Sequence, residues 1–165
     1  MGPQLNKKQN TFRSKLTNKW MFKLYLFQKM PIALLAGLQI RELNLEKSVV
    51  SVPFKWFSQN PFKSVYFATQ AMAAEMSTGI LGLMAIQGAP KKVSMLVLKI
   101  EGNFIKKATE RIYFTCESGN EIFRAVDEAV KSGEGVTVNA NSTGKLKDGT
   151  IVSQFSVIWS FKSKH

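Results

Sequence analysis

The stretch from Ser64 to Pro90, SVYFATQAMAAEMSTGILGLMAIQGAP, is almost wholly apolar and small, and its one charged residue is Glu75. The pattern predicts one long helix, with Ser64 as its N-cap and with Gly88 and Pro90 at its end. A helix without a polar face must be buried on most sides. A buried, unpaired carboxylate costs several kcal/mol, so Glu75 must be neutralised, hydrogen-bonded or used.

The segments around this helix alternate between helical and strand-like periods. Residues 1–11 are polar and predicted to be irregular, and a helix over 12–30 precedes a break at Pro31 and a short helical piece ending near Gly37. The remaining predicted elements are a hairpin over 38–53, a strand over 94–106 kinked at Gly102-Asn103, a strand over 111–117, an amphipathic helix over 120–132, and a closing hairpin over 135–161. We therefore predict an α+β fold in which an antiparallel sheet wraps around the long central helix.

A chain of 165 residues is long enough for one domain with a hydrophobic core. We divide the chain into an N-terminal basic helical extension over 1–37 and a main domain over 38–162. The single cysteine, Cys116, excludes an intrachain disulfide and lies in an alternating run that predicts a small core residue. One cysteine fits a reducing compartment, and we expect a cytoplasmic protein. The lone histidine is His165, so no histidine-based metal site or catalytic dyad is expected.

Residues 64–90 are long enough to span a bilayer. Glu75 at mid-span, Gln70, Gln87 and the many small residues favour instead a helix buried inside a soluble protein.

The net charge is +12, and seven of the 23 basic residues lie in the first 29 positions, where there is no acid. A positive electrostatic field of this kind attracts polyanions. A solvated surface that keeps the protein in solution explains the excess of basic residues equally well. We expect no nucleic-acid partner, whereas a peripheral contact of residues 1–30 with an anionic membrane remains open.

Three motifs resemble the hotdog-fold acyl-CoA thioesterases, and in particular the DUF4442 branch of the phenylacetate-type thioesterases. They are N-x5-Y-F-A-T-Q-A-M-A-A-E from Asn60 to Glu75, the strand VLKIEGNFIKKATE, and the closing hairpin GKLKDGTIVSQFSVIW. The resemblance covers about residues 38–162.

The resemblance implies a site in which Asn60 binds the thioester carbonyl or the attacking water. The family's His-Gly-Gly falls on Tyr66, Phe67 and Ala68, whose backbone N–H groups would form an oxyanion site at the helix N-terminus. Glu75 falls on the acid that serves as nucleophile or general base, and apolar surroundings should raise its pKa. Ser77 and Thr78 would either orient Glu75 or bond back to helix carbonyls, and the second arrangement is favoured.

The resemblance also implies a homodimer or a dimer of dimers, with an acyl-CoA or other thioester as substrate and no cofactor beyond that coenzyme A. Its phosphates need basic residues; the candidates are Lys91, Lys92, Lys106, Lys107, Lys145 and Lys147. Tyr66 and Phe67 depart from the family pattern, and a phenylalanine in place of glycine predicts a narrowed or blocked oxyanion site. One alternative is therefore a hotdog protein that binds an acyl ligand without hydrolysing it. The other, indicated by the basic and acid-free first 29 residues, is a cationic membrane- or nucleic-acid-associated module.

Overall fold

A computed structural model describes residues 4–164 and has five α-helices and six β-strands within that range. The elements are α1 (Lys7–Thr17), α2 (Lys19–Lys29), α3 (Pro31–Ala36), β1 (Gln39–Leu43), β2 (Ser48–Val52), α4 (Phe67–Gly88), β3 (Val93–Phe104), β4 (Ile112–Cys116), α5 (Gly119–Ser132), β5 (Gly135–Lys145) and β6 (Ile151–Ser163). A short 3-10 turn, Trp56–Ser58, lies between β2 and α4. The predicted fold class, a sheet around one long helix, is confirmed.

The six strands form one antiparallel sheet in the order β1-β2-β4-β5-β6-β3. Strand β3 is therefore an edge, paired along its length with β6. The predicted kink at Gly102-Asn103 is wrong, because pairing continues through both residues and the irregularity lies between Val97 and Lys99. The Phe155 ring fills the space of a Gly102 side chain, 2.5 Å from where a Cβ would stand. Gly102 thus makes room for a ring rather than bending the strand.

Helix α4 lies inside the curve of the sheet, as its sequence predicts. It packs against β2, β4, β5 and β6, against α5, and against α1 on the side that the sheet leaves open. Its small residues allow this close packing, and Ala73, Ala74, Leu81 and Met84 are fully buried. Cys116 is also buried in this core, as expected. Within residues 4–164, no helix combines the length and apolar content that crossing a bilayer requires.

The N-terminal region is more ordered than its composition predicts. Helix α1 starts at Lys7, inside the segment expected to be irregular, because Asn6 and Gln9 form a reciprocal capping box. The predicted single helix over 12–30 is two helices, because the Asn18 side chain accepts hydrogen bonds from the backbone of Trp20 and Met21 and so starts α2. Leu16, Phe22 and Leu26 join the common core. The domain boundary at residue 37 stays a prediction.

Helix α4 begins later than predicted. Its first residue is Phe67, and no side chain caps it from Tyr66. Ser64 is not the N-cap, because its hydroxyl donates to Asn60 Oδ1 at 3.1 Å. In addition, the following residue, Val65, forms a β-bridge with Gln59. The end of the helix at Gly88 agrees with the prediction.

Candidate functional site

Asn60 organises the turn that leads into α4. Its Oδ1 accepts hydrogen bonds from the Phe62 backbone at 3.0 Å and from the Ser64 backbone and hydroxyl at 3.2 and 3.1 Å. Three donors on one oxygen fix the amide orientation. Within residues 4–164, Asn60 Nδ2 has no protein acceptor, so this N–H₂ group is available to a ligand oxygen.

The first turn of α4 leaves two backbone donors free in the part of the chain that the structure describes. The N–H groups of Thr69 and Gln70 bond to the Tyr66 carbonyl, whereas those of Phe67 and Ala68 have no acceptor. Free N–H groups at a helix start carry partial positive charge and suit a developing oxyanion.

The aromatic side chains beside these donors are exposed. The Phe67 ring is 56% exposed and makes edge contacts with the rings of Tyr66 and Phe104, whose centroids lie 4.7 and 6.4 Å away. An exposed aromatic ring therefore stands beside the free N–H groups at the mouth of the helix N-terminus, at the position where the resemblance predicts glycine.

A cavity of about 370 Å³, here named the Asn60 cavity, lies in front of this turn. It is lined by Asn60, Phe62, Ser64, Val65, Phe67, Gln70, Phe104, Ile105, Lys106, Lys107 and Ala108. Asn60, Phe67 and two of the candidate lysines thus share one cavity, which combines an amide donor, an aromatic wall and positive charge.

Glu75 lies in a different cavity, here named the Glu75 cavity, of about 230 Å³. Its lining is apolar apart from Glu75 and the Tyr25 hydroxyl: Phe22, Tyr25, Met30, Glu75, Met76, Gly79, Ile80, Leu83, Met95 and Trp159. In residues 4–164 no salt bridge involves the Glu75 carboxylate. Burial raises the pKa of Glu75, which is the predicted direction. Burial also raises the pKa of Tyr25, and the negative charge of Glu75 is a second, smaller cause of that shift.

Ser77 and Thr78 stabilise the helix and its contact with the sheet, as the favoured arrangement predicts. Ser77 donates to the Ala74 carbonyl at 2.7 Å, lies 2.7 Å from the Ser142 hydroxyl, and accepts from Ser48 at its own carbonyl. Thr78 donates to the Glu75 carbonyl at 2.9 Å and accepts from Trp159 Nε1 at 2.8 Å. Thr78 therefore acts on the cavity indirectly, because it holds the Trp159 ring that forms one wall.

One chain does not bring Asn60 and Glu75 into the same cavity, since the two cavities share no lining residue. Phe67 and Glu75 are eight residues apart on α4, which is about 12 Å along the helix axis. A small group bound at the helix N-terminus cannot touch the Glu75 carboxylate of the same chain.

The candidate lysines fall into separate groups. Lys91 and Lys92 precede β3, and Lys106 and Lys107 follow it, so the length of that strand, about 40 Å, separates the pairs. Lys145 ends β5, and Lys147 lies in the turn between β5 and β6 beside Asp148. Hydrogen bonds from Thr150 lower the pKa of Asp148, and the charge of Lys106 contributes to the same shift.

Three features of the site were not evident from sequence. Tyr25 and Phe22 reach Glu75 from α2, and Trp159 reaches it from β6. Gln70 is buried beside the Asn60 cavity, where it donates to the Val65 carbonyl at 3.0 Å and accepts from Ser153 at 2.9 Å. The alternation of apolar residues in β6 predicted that Trp159 points to the inner face of the sheet. The helical pattern of α2, in contrast, gave no indication that Tyr25 and Phe22 contact Glu75.

This fold is shared with several solved structures. A Chlorobaculum tepidum protein of unknown function has a TM-score of 0.75 at 14% identity, covering 92% of this chain and 99% of that one. A Pseudomonas aeruginosa protein described as a probable thioesterase has a TM-score of 0.72 at 14% identity, covering 91% and 99%. A glutamine-to-alanine mutant of a Staphylococcus aureus thioesterase has a TM-score of 0.58 at 16% identity, covering 77% and 94%.

These similarities show that the fold is a hotdog fold. The chain belongs to the family described as domain of unknown function DUF4442, which matches residues 18–160. The match includes α2 and α3, which lie before the segment that carries the three sequence motifs. No curated protein matches the sequence.

Proposed function

We propose that this protein hydrolyses an acyl-CoA or acyl-carrier thioester as a homodimer, with each active site shared between two subunits. Asn60 and the N-terminus of α4 would come from one subunit, and the attacking group would be Glu75 of the partner subunit. The observation that carries this proposal is the position of the two cavities at opposite ends of the free edge strand β3.

Met95, near the start of β3, lines the Glu75 cavity, and Phe104, at its end, lines the Asn60 cavity. A two-fold axis across this edge would pair two copies of β3 antiparallel, with the start of one beside the end of the other. Each Asn60 cavity would then adjoin the partner's Glu75 cavity. The pairing would also cover Leu96, Leu98 and Ile100, which are exposed apolar side chains on an otherwise open edge.

The groups gathered in this way fit thioester hydrolysis. Asn60 Nδ2 and the free N–H groups of Phe67 and Ala68 would bind the carbonyl oxygen and stabilise the negative charge that develops on it. Glu75 of the partner subunit, with its raised pKa, would attack the carbonyl carbon or take a proton from the attacking water. With water as the attacking group, breaking the carbon–sulfur bond would release the acid and a thiolate, which would take up the proton that Glu75 holds. With Glu75 as the nucleophile, breaking this bond would release the thiolate, which takes a proton from solvent, and would leave an anhydride on Glu75 that water then hydrolyses to the acid and the free carboxylate.

The same pairing would place lysines from both subunits at the mouth of the site. Lys106 and Lys107 line the Asn60 cavity, and the partner's Lys91 and Lys92 would approach them from the start of the second β3. Four ammonium groups suit the phosphates of coenzyme A. Lys145 and Lys147, beside the same end of the sheet, are further candidates.

The Staphylococcus aureus thioesterase supports the choice of Asn60 and Glu75. In that protein a glutamine and a glutamate 15 positions apart have each been replaced by alanine. Asn60 and Glu75 here have the same separation, with an amide at the first position and an acid at the second.

Replacing Glu75 by Gln tests the proposal, because it removes the carboxylate and keeps the size of the side chain. We expect turnover across a panel of acyl-CoA esters to fall at least about a hundredfold, the range of a lost general base. Hydrolysis is measured by release of the free thiol, and circular dichroism checks the fold.

Glu128→Gln, an exposed acid on α5, is the matched control and should keep full activity. Because a base must be deprotonated, wild-type kcat/KM should fall in acid around a pKa above the ordinary glutamate value of 4.5. Unchanged turnover in Glu75→Gln would rule out the role proposed for this residue.

Binding of an acyl ligand without hydrolysis is the second candidate, and the Phe67 ring beside the free N–H groups favours it. A ring at this point would hinder a tetrahedral oxyanion while leaving both cavities open to an acyl chain. This candidate is supported if native mass spectrometry finds a co-purified acyl ligand and neither the wild type nor Phe67→Gly hydrolyses any ester of the panel.

A further inference from the structure

Helix α2 has apolar side chains on two opposite faces. Phe22 and Leu26 point into the protein and are buried, whereas Trp20, Leu24 and Phe27 are 75%, 55% and 68% exposed. At 100° per residue these three exposed side chains fall within an arc of about 60° on the outer side of the helix. The outer face is therefore a continuous apolar stripe that no other part of residues 4–164 covers.

The exposed surface extends beyond α2 through the neighbouring segments. Ile32 and Leu35 project from α3, which packs against the 3-10 turn that carries Trp56 and Phe57. We name the exposed side chains of Trp20, Leu24, Phe27, Ile32, Leu35, Trp56 and Phe57 the outer apolar face. Soluble proteins rarely leave a patch of this extent exposed unless it binds something.

The charged residues of the segments that form the outer apolar face are all positive. Lys19, Lys29 and Lys55 are exposed at or beside it, and no acidic residue precedes Glu42 in the sequence. Lys23 Nζ lies 5.0 Å from the Trp20 ring centroid, and Lys55 Nζ lies 6.0 Å from that of Phe57. Throughout residues 4–164, no salt bridge involves a lysine of this region. The surface thus lacks both an apolar partner and a negative one.

We propose that the outer apolar face docks on the surface of an anionic lipid bilayer. A bilayer supplies both missing partners, because acyl chains would receive Leu24 and Ile32, headgroup depth suits tryptophan, and anionic headgroups attract lysine. Nucleic acid offers no apolar layer for the aliphatic side chains. A second copy of this chain would bring the same positive charge to the contact and be repelled.

This inference goes beyond the proposed hydrolysis and does not depend on it. Membrane docking would also set the distance between the Glu75 cavity and the bilayer, because the inner face of α2 supplies Phe22 and Tyr25 to that cavity. A protein docked through the outer face would hold this cavity one helix diameter, about 10 Å, from the membrane surface.

Co-sedimentation of the full chain with vesicles tests the inference. We expect binding to phosphatidylglycerol–phosphatidylcholine vesicles, at least tenfold weaker binding to pure phosphatidylcholine, and a further decrease as salt is added. Trp20→Ser with Phe27→Ser removes two exposed rings without touching the core, and should weaken binding to the anionic vesicles about tenfold or more.

Two charge variants provide the matched comparison. Lys19→Gln, Lys29→Gln and Lys55→Gln together should weaken vesicle binding, whereas Lys131→Gln, Lys162→Gln and Lys164→Gln remove the same charge from exposed positions elsewhere and should not. Circular dichroism and melting of each variant confirm the fold.

Three results would overturn the inference. One is the absence of binding to anionic vesicles, and another is binding that survives Trp20→Ser with Phe27→Ser. The third is a change of oligomeric state in that double variant, measured by light scattering, because it would show that a second copy covers the face.

Discussion

At the scale of single residues, Glu75 shows how position changes the chemistry of an ordinary side chain. Apolar groups from α2, α4, β3 and β6 surround it, and no basic side chain lines its cavity. Desolvation therefore acts on the carboxylate without a compensating cation, and its pKa is raised. The protein thus carries an acid that binds a proton more tightly when folded than when unfolded.

This raised pKa makes stability depend on pH in a defined direction. The stability linked to Glu75 is fully present below the ordinary pKa of 4.5 and is lost as pH rises through the higher folded pKa. Glu75→Gln has no such loss, so we expect it to be more stable than the wild type at neutral pH. A gain of about 1 kcal/mol, or about 2–4 °C in Tm, is the expected scale.

Thermal melts at a series of pH values measure this difference. The advantage of Glu75→Gln should shrink as the pH is lowered toward 4.5, and Glu128→Gln, at an exposed position of α5, is the control. A Glu75→Gln variant less stable than the wild type at neutral pH would mean that the carboxylate has a stabilising partner, for example across a subunit interface.

At the scale of elements, the small residues of α4 set how closely the sheet approaches. A Cβ on Gly79 would lie 2.9 Å from the Trp159 ring, whereas one on Gly82 would lie 2.8 Å from the terminal methyl of Met95 and 3.0 Å from the Phe161 ring. The closest neighbours differ in freedom, because the Trp159 ring is held by its hydrogen bond to Thr78 whereas the Met95 side chain ends in a flexible thioether. At Gly82 only the longer contact, with Phe161, involves a ring.

Gly79→Ala and Gly82→Ala form a matched pair for this contact. Both substitutions gain about 1 kcal/mol of helix propensity, but Gly79→Ala also incurs about 1–3 kcal/mol of overpacking against the fixed ring. We expect Gly79→Ala to be the less stable variant by about 1 kcal/mol or more in urea unfolding. Equal stability of the two variants would show that Trp159 can move away from the helix.

At the scale of the whole molecule, the division of Asn60 and Glu75 between two cavities determines what one subunit can do. Each cavity touches the free β3 edge at a different end, through Phe104 and Met95. If the active site is shared in the proposed way, each dimer contains two sites and every site needs both chains.

Mixing two inactive variants tests this sharing directly. In a dimer of one Asn60→Ala chain and one Glu75→Gln chain, one site has both substitutions and the other has neither. An equimolar mixture after subunit exchange should therefore recover about one quarter of wild-type activity, since half the dimers are mixed and half their sites are intact. The control is the mixture before exchange, which should be inactive.

Failure to recover activity, with mixed dimers confirmed by native mass spectrometry, would place Asn60 and Glu75 in separate functions. Recovery would show that each active site takes Asn60 from one chain and Glu75 from the other, as the proposed two-fold arrangement requires.

Local patterns in the sequence determined most of the elements. The apolar run of α4, the alternation in β6 and the turn around Gly149 each follow from burial or backbone geometry within a few residues. The errors have equally local causes, since Asn6 and Asn18 caps reorganise the N-terminal helices and Asn60 takes the Ser64 hydroxyl away from the start of α4. Which polar side chain caps a helix depends on small differences in hydrogen-bond energy, and the spacing of apolar residues in the sequence gives no information about these differences.

The sequence by itself thus determined the central helix, the succession of helices and strands along the chain, and the isolation of Glu75 among apolar neighbours. Only the tertiary structure decided that Tyr25 and Trp159 enclose Glu75, that Asn60 lies in another cavity, and that the outer side of α2 remains uncovered. The physical reason is that periodicity reports whether a side chain is buried, whereas the identity of its neighbours depends on contacts between residues distant in the chain.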